Sequence, residues 1–567
     1  MMKRFKPWWQ QDQRYRTFTQ AVLMALLPVL CCFIRCALDG EVISGVWLPA
    51  SEWNDELFYY KQVEGIIGFG YPQGYFGFNE SHAMKLSFAA WSPVLVFPWI
   101  LWGFLFGWNL LSPIVCNIVL MSAACFLFVW LVKPGWKQLG VLALLFSLFT
   151  PFTRYMLSGM PEVICFSMLI LFYGVAFSYL SGKKTGKLVL MFVMAAVMTL
   201  MRPYLLLFLL LPAYFWVRRS GLRGAMGSAA VMAATLGVYA WIKHYLGAEY
   251  FAPLFFTDWV DAFFERGVFG GIRFFLGKLY YMGKGFFGHT IQGLRTGLAS
   301  GAFFAGYIVV LGVLLIQSLL DWRRLRRMRA AEEDSIASDP EGQEARRGLY
   351  GRLIIQIHLA LSFLAMFFAL LLMYKLTEGS KHLLTFITAG IFVIAMMDTR
   401  FFKKAVLLGV AFVYLYSYMA VDPYDYGVPY LQAEREEQMA EWDEIFQRKL
   451  RLESEGEMPS YDNAVIWVFQ DEYADGVLPE AGLFPEGGEL SEAGELTGRN
   501  VDWQLLYVLP EGFGVSCCMP EYVIENFDSL QCKYLATLSG GRIDEMCLDA
   551  GYREIGRDRD MVVYALR

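Results

Sequence analysis

Residues 51–60 read SEWNDELFYY and set Glu52, Asp55 and Glu56 among aromatic side chains. A sugar hydroxyl is a poor nucleophile near neutral pH, and a positioned carboxylate can take its proton as a new bond forms. Glu162 follows Pro161 in SGMPE, Arg202 sits in MRPY, and Lys381 and His382 follow Glu378 in TEGSKH. His82 lies in FNESHAMK, and Lys278, Lys284, His289 and Arg295 fall between 247 and 300. Carboxylates also stabilise positive charge at an anomeric carbon. Cations, or a divalent metal, balance a departing phosphate. No motif demands the metal. Each residue also has a plainer reading. Carboxylates among Trp and Tyr mark a membrane–water boundary, Glu162 suits a helix N-terminus, and Arg202 suits a snorkelling interfacial arginine. Singly, His82 and the groups at 278–295 read as polar surface residues.

The elements that must position these groups belong to a membrane. Of 567 residues, 57% are hydrophobic and only 18% charged. Apolar segments fall near 18–36, 92–107, 112–132, 139–152, 161–180, 187–201, 203–217, 225–246, 301–320, 353–374, 382–398 and 404–420. Most approach the length needed to cross a roughly 30 Å hydrocarbon core. Only helices satisfy every backbone group in lipid with sequences of this kind. The chain therefore reads as an α-helical polytopic membrane protein. Nucleic acid is excluded as a partner, because no basic stripe with interleaved aromatics occurs.

Basic clusters in short loops should face the cytoplasm. Those at Lys133/Lys137, Lys183/Lys184/Lys187, Arg218/Arg219/Arg223, Arg323–Arg329 and Arg400/Lys403/Lys404 all do so if 92–107 fails to cross. That segment is short and carries Pro93 and Pro98, which suits an interfacial or re-entrant helix. The prediction is eleven spans in the cell membrane, with the N-terminus cytoplasmic and the C-terminus outside. The basic N-terminus and first apolar run read as an uncleaved signal anchor. Residues 38–111, 154–162, 201–204, 247–300, 375–382 and the tail then share the outer face, and 321–352 lies inside. All the candidate residues fall on that outer face.

Residues 1–420 read as the transmembrane domain and 421–567 as a small extracytoplasmic α/β domain. In the tail, AVIWVF, WQLLYVL and MVVYAL look like strands, and PEYVIENFDSL and RIDEMCLDAG like helices. It has no GxGxxG, P-loop or nucleophile elbow, so it reads as non-catalytic. Its cysteines, Cys517, Cys518, Cys532 and Cys547, lack zinc-ligand spacing and leave one disulfide or free thiols open.

The order of these motifs resembles the GT-C glycosyltransferases, a superfamily that includes protein O-mannosyltransferases and aminoarabinose transferases acting on lipid A. Asp55-Glu56 in NDELFYYKQVEGIIGFGYP resembles the family's acidic pair in the first outer loop. WSPVLVFPWILWGFLFG resembles the proline-containing segment that closes that loop. Glu162 resembles the acidic residue of the second loop, and Arg202-Pro203 the arginine of the following turn. GSKHLLTFI resembles the family's RYLLP stretch, with Lys381-His382 replacing Arg-Tyr and no proline after them. The resemblance covers residues 1–420. It implies a polyprenyl-phosphate sugar donor, a reaction on the outer face, and Asp55 as base. Glu56 and Glu162 join Asp55 as candidate catalytic residues, with Arg202, Lys381, His382, Arg295 and His82 as candidate phosphate binders. The acceptor would be a cell-envelope glycan, lipid or protein.

Two other readings stand beside glycosyl transfer. A lipid or glycan flippase or transporter would favour polar groups within spans near the midplane. Here the apolar segments are nearly free of ionisable residues. A membrane-anchored binding protein acting through its tail would have little use for so many spans.

Overall fold

The structure is a computed structural model describing residues 13–38, 42–46, 54–70, 75–85, 92–247, 256–296, 299–333, 340–373, 380–397, 449–450, 453, 463–468, 514–557 and 561–566. It is a helical polytopic membrane fold with a small sheet region. Among the described residues six helices are long and apolar enough to cross a membrane. They are α1 (Gln13–Leu38), α4 (Ser112–Val132), α7 (Glu162–Gly182), α10 (Leu222–Leu246), α13 (Ala299–Glu333) and α14 (Pro340–Met373). The intervening elements are α2 (Asn54–Phe69), α3 (Phe97–Phe106), α5 (Trp136–Leu148), α6 (Thr150–Met156), α8 (Thr185–Met201), α9 (Leu210–Ser220) and α15 (Ser380–Ala395). Each predicted apolar segment between 18 and 398 contributes to a helix, and 404–420 lies outside the described residues. The α3 helix has ten residues. At 1.5 Å per residue it reaches about 15 Å, roughly half a hydrocarbon core.

The core of the bundle is centred on α7, whose apolar residues are buried on nearly every side. Phe128 of α4 meets Phe392 of α15 edge to face, with ring centroids 4.9 Å apart. Tyr307 of α13 donates a 2.6 Å hydrogen bond to the Phe363 carbonyl of α14. Between α8 and α9, residues Pro203–Leu209 form a 3₁₀ segment.

Segment 247–300, expected as an outer loop, holds α11 (Asp258–Glu265) and α12 (Gly267–Thr296). Glycines spaced through α12 lower its intrinsic helix propensity. Packing against the spans supplies the stability that propensity withholds.

Among the described residues the sheet has seven strands in the order β2-β1-β4-β3-β5-β7-β6. β1 (Tyr75–Phe78) and β2 (Met84–Lys85) come from the first loop. β3 (Ala464–Val468), β4 (Gly514–Cys518), β5 (Tyr534–Leu538), β6 (Arg553–Arg557) and β7 (Met561–Ala565) come from the tail. β1 runs parallel to β4, with Phe76 opposite Val515. Asn79, at φ 51°, turns the chain as β1 ends, and its Oδ1 accepts from the Met519 amide at 2.8 Å. The amides of Gln531 and Cys532 donate to the Ser81 carbonyl at 2.8 and 2.9 Å.

Strand alternation gives the sheet two buried faces. Ile466, Val468, Cys518 and Val562 pack with Val523 of α16 (Pro520–Glu525) and Ile543 of α17 (Arg542–Asp549). Val465, Trp467, Cys517 and Val563, on the other face, belong to the same apolar core as the bundle. AVIWVF and MVVYAL are thus β3 and β7, whereas WQLLYVL lies outside the described residues. The four tail cysteines are buried free thiols.

Candidate functional site

Pro203 biases the preceding residue away from helical backbone. Arg202 accordingly ends α8 in an extended conformation, at φ −145° and ψ 116°. Its side chain turns into the bundle and is fully buried. Nη2 donates to Glu162 Oε1. Nη1 donates to His382 Nδ1 at 2.8 Å and to the Tyr204 hydroxyl at 3.2 Å. Tyr204 and His382 are 3.3 Å apart at the hydroxyl and Nδ1. A guanidinium can only donate, so Nδ1 of His382 is the acceptor and the neutral ring carries its proton on Nε2.

Glu162 and His382 are as buried as Arg202. Two ions can persist there only because they are paired and hydrogen-bonded. The second carboxylate oxygen, Glu162 Oε2, has no hydrogen-bond partner among the described residues.

The turn that delivers Glu162 is held from several directions. The Gly159 amide donates to Glu56 Oε2 of α2 at 2.9 Å. Ser158 Oγ donates to the Tyr155 carbonyl at 2.9 Å and accepts from the Met160 amide at 3.2 Å. From α4, Asn117 Nδ2 donates to the Ser158 carbonyl at 3.1 Å. Asn117 Oδ1 in turn accepts from Trp99 Nε1 of α3 at 3.0 Å. One buried amide therefore ties together α3, α4 and the turn before α7.

The consequence is that α2, α7 and α15 all begin at one end of the bundle. Their N-termini carry partial positive charge, which favours an anion nearby. Glu56 and Glu162 satisfy part of that field from within.

The structure thus brings together Glu56, Glu162, Arg202 and His382 from four distant stretches of sequence. Asp55 and Lys381 contribute backbone to the first turns of α2 and α15, each one residue before a pinned neighbour. Their side chains lie outside the described residues, as do Glu52 and Glu378. His82 belongs to the sheet region, in the bend between β1 and β2, with Nδ1 3.2 Å from Ser81 Oγ. Arg295 is exposed on the last turn of α12. Lys278 pairs with Asp258 of α11, and the His289 ring sits 5.7 Å from that of Phe304. Among the described residues no three His, Cys, Asp or Glu side chains gather as metal ligands.

Tyr204, Asn117 and the Ser158–Gly159 turn were not singled out from sequence. Asn117 had a signal of its own, as a lone amide within the apolar run SPIVCNIVLMSAACFLFVWLV. Polar side chains in such helices commonly bond across to neighbours.

No protein-family model matches the chain, and no curated protein matches it. Among solved structures, the apo Archaeoglobus fulgidus oligosaccharyltransferase aligns over 94% of this chain and 70% of its own, with 12% identity and a TM-score of 0.46. ArnT from Cupriavidus metallidurans aligns over 96% of this chain and 98% of its own, in two structures. The form bound to undecaprenyl phosphate gives 10% identity and a TM-score of 0.39, and the apo form 11% and 0.39. Similarity at this level carries no weight in assigning a role to any residue.

Proposed function

We propose that the chain is a GT-C-like glycosyltransferase that moves a sugar from a polyprenyl-phosphate donor to an acceptor hydroxyl at the outer surface of the cell membrane. The observation that carries this reading is the meeting of three helix N-termini around the buried Glu162–Arg202–His382 cluster. That arrangement suits an anionic phosphate, and its place at the end of apolar helices suits a lipid-anchored one.

In this reading the buried groups are positioning residues. Arg202 is neutralised by Glu162 and holds His382, fixing the first turn of α15 and with it Lys381. Glu56 is spent on the Gly159 amide, fixing the first turn of α2 and with it Asp55. Lys381 then faces the role of phosphate contact and Asp55 that of base. The acceptor oxygen attacks the anomeric carbon as its proton passes to Asp55. The bond from that carbon to the phosphate oxygen breaks, and polyprenyl phosphate leaves with the electron pair. The acceptor class is a glycan, lipid or protein of the cell envelope. A transporter remains the competing reading.

Purified protein supplied with radiolabelled polyprenyl-phosphate sugars and a membrane glycolipid extract tests the assignment of roles. Asp55→Asn keeps donor binding and loses about 10²–10⁴-fold in transfer rate, the usual cost of removing a general base. Lys381→Ala weakens donor binding instead, through loss of a charge-assisted contact. Near wild-type transfer by Asp55→Asn would remove that residue from the chemistry.

A further inference from the structure

We infer that the outward face of α12 is an anionic-lipid-binding surface lying in the headgroup–acyl boundary of the membrane. The inner side of this helix is occupied. Gly267, at φ +68°, starts the turn into it, and a Cβ on Gly271 would fall 2.4 Å from the Phe263 ring of α11. Farther along, Phe286 is buried between Phe304 and Phe367, at centroid distances of 4.6 and 5.1 Å.

No described residue covers the outer side. Phe269, Ile272, Leu276, Tyr280, Phe287 and Ile291 are all exposed there, Phe269 at 90% and Tyr280 at 66%. Their steps of three, four, four, seven and four residues trace one helical stripe. A stripe of that size facing water is disfavoured. Exposed Arg273, Lys284 and Arg295 accompany it, and α12 contains neither Asp nor Glu.

Location and charge select the occupant. The Phe256 amide just before α11 donates to the Met373 carbonyl, the last residue of α14, at 2.9 Å. The α11–α12 hairpin therefore sits where α14 ends and α13 begins, at the end of the bundle that also holds the first turn of α15. Lipid is the apolar medium available at such a rim. A cationic face with Tyr and Phe is suited to anionic headgroups above acyl chains. The rival occupant is the apolar segment near 404–420 of the same chain, which lies outside the described residues.

Nitroxides on single cysteines at 269, 276, 280, 287 and 291 of the full chain would test this, in vesicles of phosphatidylcholine with and without phosphatidylglycerol. Collision with oxygen and with a water-soluble nickel chelate is measured at each site, on variants that keep the elution behaviour of the parent. Oxygen is expected to win at all five sites, at one shallow depth that increases with phosphatidylglycerol. Arg273→Gln with Lys284→Gln should abolish that increase. Preference for nickel would place the face in water. Shielding from both reagents would mean that protein covers it, and a depth gradient through the bilayer centre would mean that α12 spans. Depth indifferent to phosphatidylglycerol would overturn the anionic preference.

Discussion

At the scale of single residues, the Glu162–Arg202 ion pair is buried and held at both ends. Glu162→Gln takes a carboxylate charge away from buried Arg202, and removing one partner of a buried pair typically costs about 3–5 kcal/mol. Thermal unfolding in detergent should show the loss directly. Replacing both partners, as Glu162→Leu with Arg202→Met, should recover much of it, because two apolar groups need no pairing. A double variant as unstable as the single one would mean that the cluster does more than hold three helix ends together. The sequence made Glu162, Arg202 and His382 legible as a set, since each sits at the mouth of an apolar segment. It did not reveal that Arg202 pairs with Glu162 and donates to His382. Pairing depends on which helix ends meet, and no local pattern reports that. Glu56 shows the same limit: the sequence sets it beside Asp55, but only the fold shows its carboxylate accepting from the backbone amide of a distant turn.

At the scale of elements, the turn before α7 and the edge of the sheet carry the predictions. Asn117→Leu strands the Trp99 indole N–H and the Ser158 carbonyl in a buried site. Leaving buried groups unsatisfied costs about 1–3 kcal/mol, so the unfolding midpoint should fall and the 157–161 turn should become protease-sensitive. Removal of residues 449–567 takes β3 and β4 away from β1 and frees Asn79 and Ser81 from the backbone amides they hold. Limited proteolysis within 75–85 should then accelerate, and an unchanged cleavage pattern would mean that the loop holds itself.

Acid should loosen the other edge of the sheet. Burial pushes the Asp544 carboxyl up, but hydrogen bonds from Arg557, Tyr564 and the Gly540 amide outweigh it and leave the group below its usual range. The stabilisation is therefore present above the unfolded value of about 3.9 and is lost as pH falls through the lower folded value. Asp544→Asn should lower the thermal midpoint at neutral pH and flatten its fall in acid. Helices of the bundle were legible because lipid demands long apolar runs, and β3 and β7 because both read as short apolar strands. The partnership of β1 with β4 was not, since strand pairing across more than 400 residues leaves no mark in either segment. α12 escaped notice because its glycines lower helix propensity and its outward stripe meets no described residue.

At the scale of the whole molecule, the arrangement is a bundle of apolar helices with Glu56, Glu162, Arg202 and His382 gathered at one end, joined to a sheet spliced from the first loop and the tail. The basic loops predict the sidedness. A cysteine at 108 should react with an impermeant thiol reagent from outside and one at 135 should not, because the α4 span separates them. The reverse pattern would turn the proposed site toward the cytoplasm. Transfer and transport part company when the second compartment is removed. In detergent micelles a transporter has nowhere to move its cargo and leaves a lipid-linked sugar chemically intact. A transferase breaks the bond between the sugar and the phosphate wherever donor and acceptor meet. The most direct measurement is therefore the fate of a radiolabelled polyprenyl-phosphate sugar incubated in micelles with purified protein and membrane glycolipid extract. Label should leave the polyprenyl phosphate and appear in a new covalent product. Full recovery of intact donor across the sugar panel, with the same preparations moving lipid-linked sugar across vesicle membranes, would contradict the account.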